Sequence, residues 1–156
     1  MHPDVLTRPT ATPPAEVRTA CALWLTAVAA GVFETVLAIG RILADDSGSA
    51  LDTGVGLAVR LAVFTAAVLT AVRMRGGARW ARIALALVLG VLGTASLVVQ
   101  PLGYLADGGS LADAAARAGV LDWVFGASRA VHVAAVSTAV VLMFRPAANA
   151  YFRKAA

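Results

Sequence analysis

Charge is scarce in this sequence: 14% of its 156 residues are Asp, Glu, Lys or Arg, while 60% are hydrophobic. A soluble domain carries roughly 25% charged and about 45–50% apolar residues, so both departures exclude an ordinary water-soluble globule and point towards lipid. Cysteine is nearly absent. The single Cys21 rules out an intrachain disulfide and a cysteine metal site, and it reads as a buried, inert thiol. Missing too are a Cys pair for quinone-linked disulfide chemistry, an HExxH pair and a phosphate-cradling glycine loop before a lysine. His132 has no second His or Cys at ligand spacing, so neither a metal nor a cofactor is expected. The net charge of +4 could suit nucleic acid, but the arginines gather at the ends of apolar runs, so nucleic acid is not an expected partner.

What the chain does have is long apolar runs. A membrane-spanning helix needs about 20 largely apolar residues, and this length holds four of them with short loops and no separate soluble domain. The stretch Arg73-Met-Arg-Gly-Gly-Ala-Arg-Trp-Ala-Arg82 packs four arginines around a Gly-Gly break between two such runs. In a membrane protein that pattern is a cytoplasmic hairpin. Residues 1–16, with Pro3, Pro9, Pro13 and Pro14, are expected to be a disordered cytoplasmic tail. They do not read as a secretory signal, because the apolar run after them is long, contains Glu34 and leads into further spans.

The pattern predicts an all-α, polytopic four-helix bundle over 17–145, with spans near 20–43, 54–74, 80–105 and 119–144. Thr12 and Glu16 suit the start of the first helix. Asp45, Asp46 and Asp52 fall in a first outer loop, and Trp24 and Trp80 near the inner interface. Pro101 cannot donate to the Leu97 carbonyl, which predicts a kink or loosened turn. In the second outer loop, Ser110-Leu-Ala-Asp113 looks like a helix cap before a short surface helix. Residues 146–156 form a basic cytoplasmic tail.

Orientation follows from the basic residues. One side holds Arg8, Arg18, Arg73, Arg75, Arg79, Arg82, Arg145, Arg153 and Lys154, and the other only Arg41 and Arg117. The positive-inside rule therefore puts both termini in the cytoplasm of a plasma-membrane protein. Small residues repeat every fourth position at Ala27-Gly31-Thr35, Ala86-Gly90-Thr94 and Gly126-Ala130-Ala134-Thr138, a pattern that serves helix packing within the chain or a homo-oligomer seam.

Four ionisable residues fall inside the spans: Glu34, Arg60, Arg129 and His132. Each costs roughly 2.5–3.5 kcal/mol at a helix centre, so they are expected to face the bundle and pair. Counting about 1.5 Å per residue from the outer ends sets Glu34, Arg60 and Arg129 within about 6 Å in depth, with Gln100 slightly above. Arg41, on the Glu34 face, extends the cluster towards the surface. Glu34 can neutralise only one arginine. The layer reads either as a structural lock or as a site for a proton, an anion or a polar headgroup.

Two stretches, Gly77-Ala-Arg-Trp-Ala-Arg-Ile-Ala-Leu85 and Arg145-Pro-Ala-Ala-Asn-Ala-Tyr-Phe-Arg153, resemble those of small uncharacterised four-span integral membrane proteins of actinobacteria. They are boundary signatures, so the resemblance implies a plasma-membrane four-helix protein and no activity. The reading that follows is a non-enzymatic accessory or scaffold subunit, its partners the lipid bilayer and a second copy or an unidentified membrane protein. The alternatives are a small proton- or ion-linked transporter using Glu34, and a lipid-modifying enzyme with Glu34 and His132 as acid and base.

Overall fold

The computed structural model describes residues 12–45 and 49–154, apart from the side chain of Gln100. Residues 1–11, most of the expected disordered tail, and Asp46 of the first loop lie outside the described residues. The described chain is all helical. It runs α1 (Ala15–Ala44), α2 (Ala50–Arg75), α3 (Arg79–Ala84), a π-helical stretch (Leu85–Gly93), α4 (Thr94–Ala106), α5 (Leu111–Arg117), α6 (Val120–Met143) and α7 (Pro146–Lys154). Four helical segments are long and apolar enough to cross a membrane: Ala15–Ala44, Ala50–Arg75, Arg79–Val99 and Val120–Met143.

Local chemistry sets the helix ends. At the arginine hairpin Ala78 N–H donates to the Arg73 carbonyl and Gly77 N–H to that of Met74. This is a Schellman cap with Gly77 in its left-handed position at φ +94°. The second Gly-Gly repeats the device after α4, where Gly109 N–H reaches the Tyr104 carbonyl and Gly108 has φ +86°. Gly109 is needed a second time, because a Cβ there would overlap the Tyr104 ring. Ser110 caps α5 by accepting from Asp113 N–H at 3.4 Å.

Several boundaries differ from the sequence reading. Ser49 caps α2, accepting from Asp52 N–H at 3.4 Å, so the helix starts at Ala50 and Asp52 belongs to its first turn, facing the positive dipole end. Pro14, not Thr12, is the N-cap of α1, with no side-chain cap bond. The helix continues through Pro101 as far as Ala106, since losing one N–H leaves the bonds of the turns on either side. The departure from α geometry lies earlier, at Leu85–Gly93. Within the expected basic tail, residues 146–154 form a helix with Ala148, Tyr151 and Phe152 buried.

Helix α1 is the centre of the bundle, packed against α6 and α2, while the π stretch touches α6 and α2. The tightly packed core lies at the arginine-rich end. It is built from Val17, Cys21 and Trp24 of α1, Ala71 and Met74 of α2, Leu85, then Ala139 and Met143 of α6, capped by Phe152. Alanines at the crossing points let the backbones approach, the close contact by which helices associate where lipid supplies no hydrophobic drive between them. Trp24 is thus a core residue rather than an interfacial anchor: it is 2% exposed and its indole N–H donates to Met143 Sδ at 3.5 Å. It shares one helical face with Val17 and Cys21, and that face turns inward.

Towards the other end the packing loosens. Gly31 of α1 allows Phe64 of α2 to lie against it, since an added Cβ would stand 2.9 Å from Phe64 Cε1. Gly90 similarly admits Val140, at 3.2 Å from such a Cβ. The Gly126-Ala130-Ala134-Thr138 stripe, however, lies on the outside of α6. The inward face carries Arg129, His132, Val136, Ala139 and Met143, so the polar residues set the rotation of this helix and leave the small-residue stripe to face out. Above the π stretch α2 and α4 barely touch, leaving a seam in the wall.

Candidate functional site

A cavity of about 410 Å³ opens within the bundle above the packed core. Each wall is one helical face with residues three and four apart. Ala27, Gly31, Glu34, Thr35 and Ala38 come from α1, and Arg60, Val63, Phe64 and Ala67 from α2. The third wall is Leu89, Gly93, Ser96 and Leu97, and α6 supplies Phe125, Arg129 and His132. Its floor is Trp24, Ala27 and Ala67, all buried, below which the core continues. The cavity is therefore blind at the arginine-rich end.

Glu34, Arg60, Arg129 and His132 all line this one space. Glu34 is closest to Arg129, with Oε2 3.9 Å from Nε. That is longer than the roughly 2.7–2.9 Å of a charge-assisted hydrogen bond, so the contact is Coulombic. Glu34 keeps 13% of its side chain exposed and Arg129 38%. Among the described residues neither Glu34 Oε1 nor Arg129 Nε has a hydrogen-bond partner. An unmade bond at a buried polar atom costs about 1–3 kcal/mol, and more where the group is charged. These atoms therefore remain receptive to a polar group in the cavity. The Gln100 side chain lies outside the described residues.

Arg60 forms no ion pair among the described residues. Its guanidinium folds back along α2, with Nη1 3.2 Å from where a Cβ on Gly56 would stand, so the glycine one turn earlier makes room for it. Arg60 also lines a second cavity of about 340 Å³, together with Ser49, Asp52 and Gly56 of the α2 start and Thr35 and Ile39 of α1. It therefore borders both spaces, with Glu34 lining one and Asp52 the other.

Arg41 does not extend the polar layer. It pairs with Asp122 at 3.2 Å across the mouth of α1 and α6, both side chains nearly half exposed. Asp122 also accepts from Gly119 N–H at 3.0 Å, closing the first turn of α6. The Gly119-x-x-Asp122 spacing is a readable capping signal, whereas its partnership with Arg41 appears only on folding. The same holds at the arginine-rich end, where Arg79 donates to the Phe152 and Arg153 carbonyls at 2.7 and 3.1 Å and Tyr151 donates to the Arg75 carbonyl at 2.9 Å.

The fold and this site define a class: a helical protein of membrane-spanning composition, closed at one end, with a largely apolar hollow that four ionisable side chains line. No family model, no curated protein and no solved structure matches the chain.

Proposed function

We propose that this chain is a non-enzymatic integral protein of the plasma membrane, an accessory or scaffold subunit with both termini in the cytoplasm. The observation that supports it best is the blind cavity: a packed floor at Trp24 and Ala67 separates the polar groups from the arginine-rich end, so no route crosses the bundle. Orientation rests on the basic residues gathered at the hairpin and around α7. The same proposal groups the chain with the four-span actinobacterial membrane proteins, on the two boundary stretches, which are joined by hydrogen bonds from Arg79 to the Phe152 carbonyl and from Arg82 to the Asn149 side chain. Gentle purification from native membranes followed by native mass spectrometry tests it. A second membrane protein at fixed stoichiometry supports the accessory role. A lone chain that carries steady ion flux in liposomes sinks it.

The orphaned Oε1 of Glu34 favours one second reading, a small proton- or ion-linked transporter in which Glu34 exchanges its arginine for an ion. It requires the floor to open in another conformation. The expected result is pH-dependent flux in liposomes, lost in Glu34→Gln while thermal stability is kept. Flux equal to that of empty liposomes counts against it.

A further inference from the structure

The cavity's fixed charges do not cancel. Glu34 offsets one arginine, and Arg60 and Arg129 both line the space, so with His132 neutral the site carries a surplus of one positive charge. A single monoanion completes neutrality. Around the charges the walls are apolar, with Val63 and Phe64 on α2, Leu89 and Leu97 opposite, and Phe125 on α6. The volume, about 410 Å³, falls within the roughly 300–1,000 Å³ of small-molecule sites.

Two further features indicate how such an anion arrives. α2 and α4 both line the cavity yet hardly touch each other, so the wall between them is the thinnest and the natural place for a lateral entrance from a bilayer. Arg60 lines the cavity and is also exposed, and its guanidinium lies beside Gly56, about 9 Å along the helix from its start at Ala50 at 1.5 Å per residue. On a 26-residue helix, about 39 Å long, that is roughly 5 Å inside a hydrocarbon core of about 30 Å, within a long side chain's reach of headgroup phosphates on the Asp45 side. The buried Nε of Arg129, without a hydrogen-bond partner among the described residues, lies deeper. An occupant with an anionic head and an apolar chain matches both the charge and the seam, whereas a small hydrated anion leaves the apolar walls uncovered.

We infer that this cavity is a binding site for an anionic lipid, whose phosphate pairs with Arg60 and Arg129 while an acyl chain leaves through the α2–α4 seam. Glu34, with Oε2 3.9 Å from Arg129 Nε, offsets part of the positive charge and so tempers the attraction for the anion. The inference deepens the accessory reading of the same site and rests on its membrane placement.

The test uses the full chain, purified and delipidated in neutral detergent. It is titrated separately with phosphatidylglycerol, phosphatidylcholine and glycerol 3-phosphate, and retention is read by native mass spectrometry. Phosphatidylglycerol is expected to be retained one to one, about tenfold more tightly than phosphatidylcholine, and glycerol 3-phosphate not at all. Arg60→Gln is expected to reduce phosphatidylglycerol retention about tenfold, as removing one charge-assisted contact does. Because Arg60 is exposed, this variant is expected to fold. Glu34→Gln is expected to tighten binding, since the carboxylate then no longer opposes the anion, whereas a merely structural role for Glu34 predicts looser binding. Arg117→Gln, on the remote α5, leaves retention unchanged.

Equal retention of the two lipids, or an Arg60→Gln variant that retains phosphatidylglycerol in full, overturns the inference. So does glycerol 3-phosphate binding as tightly as the lipid, which assigns the site to a soluble anion. Failure here is distinguishable from failure of the accessory role. A stoichiometric protein partner without lipid preference removes the lipid site alone, and lipid preference without a partner removes the accessory role alone.

Discussion

Arg82 Nη1 donates to Asn149 Oδ1 at 2.6 Å, joining α3 to α7 across 67 residues of sequence. The same nitrogen reaches the Met143 carbonyl at 3.3 Å, and the guanidinium lies 4.7 Å from the ring centroids of both Phe144 and Phe152. Asn149 in turn donates to the Phe144 carbonyl at 2.8 Å. One arginine thus ties the hairpin, the end of α6 and the C-terminal helix together.

Arg82→Gln is therefore predicted to destabilise the purified protein by about 2–4 kcal/mol, summing a lost charge-assisted hydrogen bond and cation–π contacts. Arg82→Lys keeps the charge but loses the planar fork, and falls between the two. Thermal unfolding in detergent measures both. A melting temperature equal to wild type for Arg82→Gln removes Arg82 as the tie between these elements.

Gly31 and Phe64 form the second testable pair. Gly31→Val pushes its side chain into the Phe64 ring and is predicted to cost about 1–3 kcal/mol, the usual range for overpacking. Phe64→Leu in the same chain recovers part of that loss by returning space. A double-mutant cycle with no coupling means that the two helices do not meet there.

The two hairpin glycines are predicted to behave differently. Gly77→Ala forces an alanine to φ +94° and should cost about 1–2 kcal/mol. Gly76 has an ordinary φ of −74°, so Gly76→Ala stays within about 0.5 kcal/mol of wild type, as surface substitutions do. Equal destabilisation by both excludes the Schellman geometry.

Topology can be read with thiol labelling, because Cys21 is buried and gives little background in the folded protein. In intact cells a membrane-impermeant maleimide is predicted to label Ser110→Cys. Arg153→Cys should react only after the membrane is opened. The reverse pattern inverts the proposed orientation.

The number of long apolar helices, their order and the α5 cap at Ser110 were determined by sequence alone, because apolar runs and capping residues act over a single helical turn or a single helix. The ionisable residues within the apolar helices were also readable as charges too costly to face lipid, and their helical spacing put each on one face. Folding decided what sequence spacing does not encode, namely which helix stands beside which. It drew Arg129 and not Arg60 close to Glu34, gave Arg41 to Asp122, and turned the small-residue stripe of α6 outward so that Arg129 and His132 face in. It also made a helix of residues 146–154, whose few apolar side chains suffice only because Arg79, Arg82 and the ends of α2 and α6 provide a surface to bury them against. Those outcomes depend on contacts between segments far apart in the chain, where the energy of a side chain is set by its neighbour and not by its own periodicity.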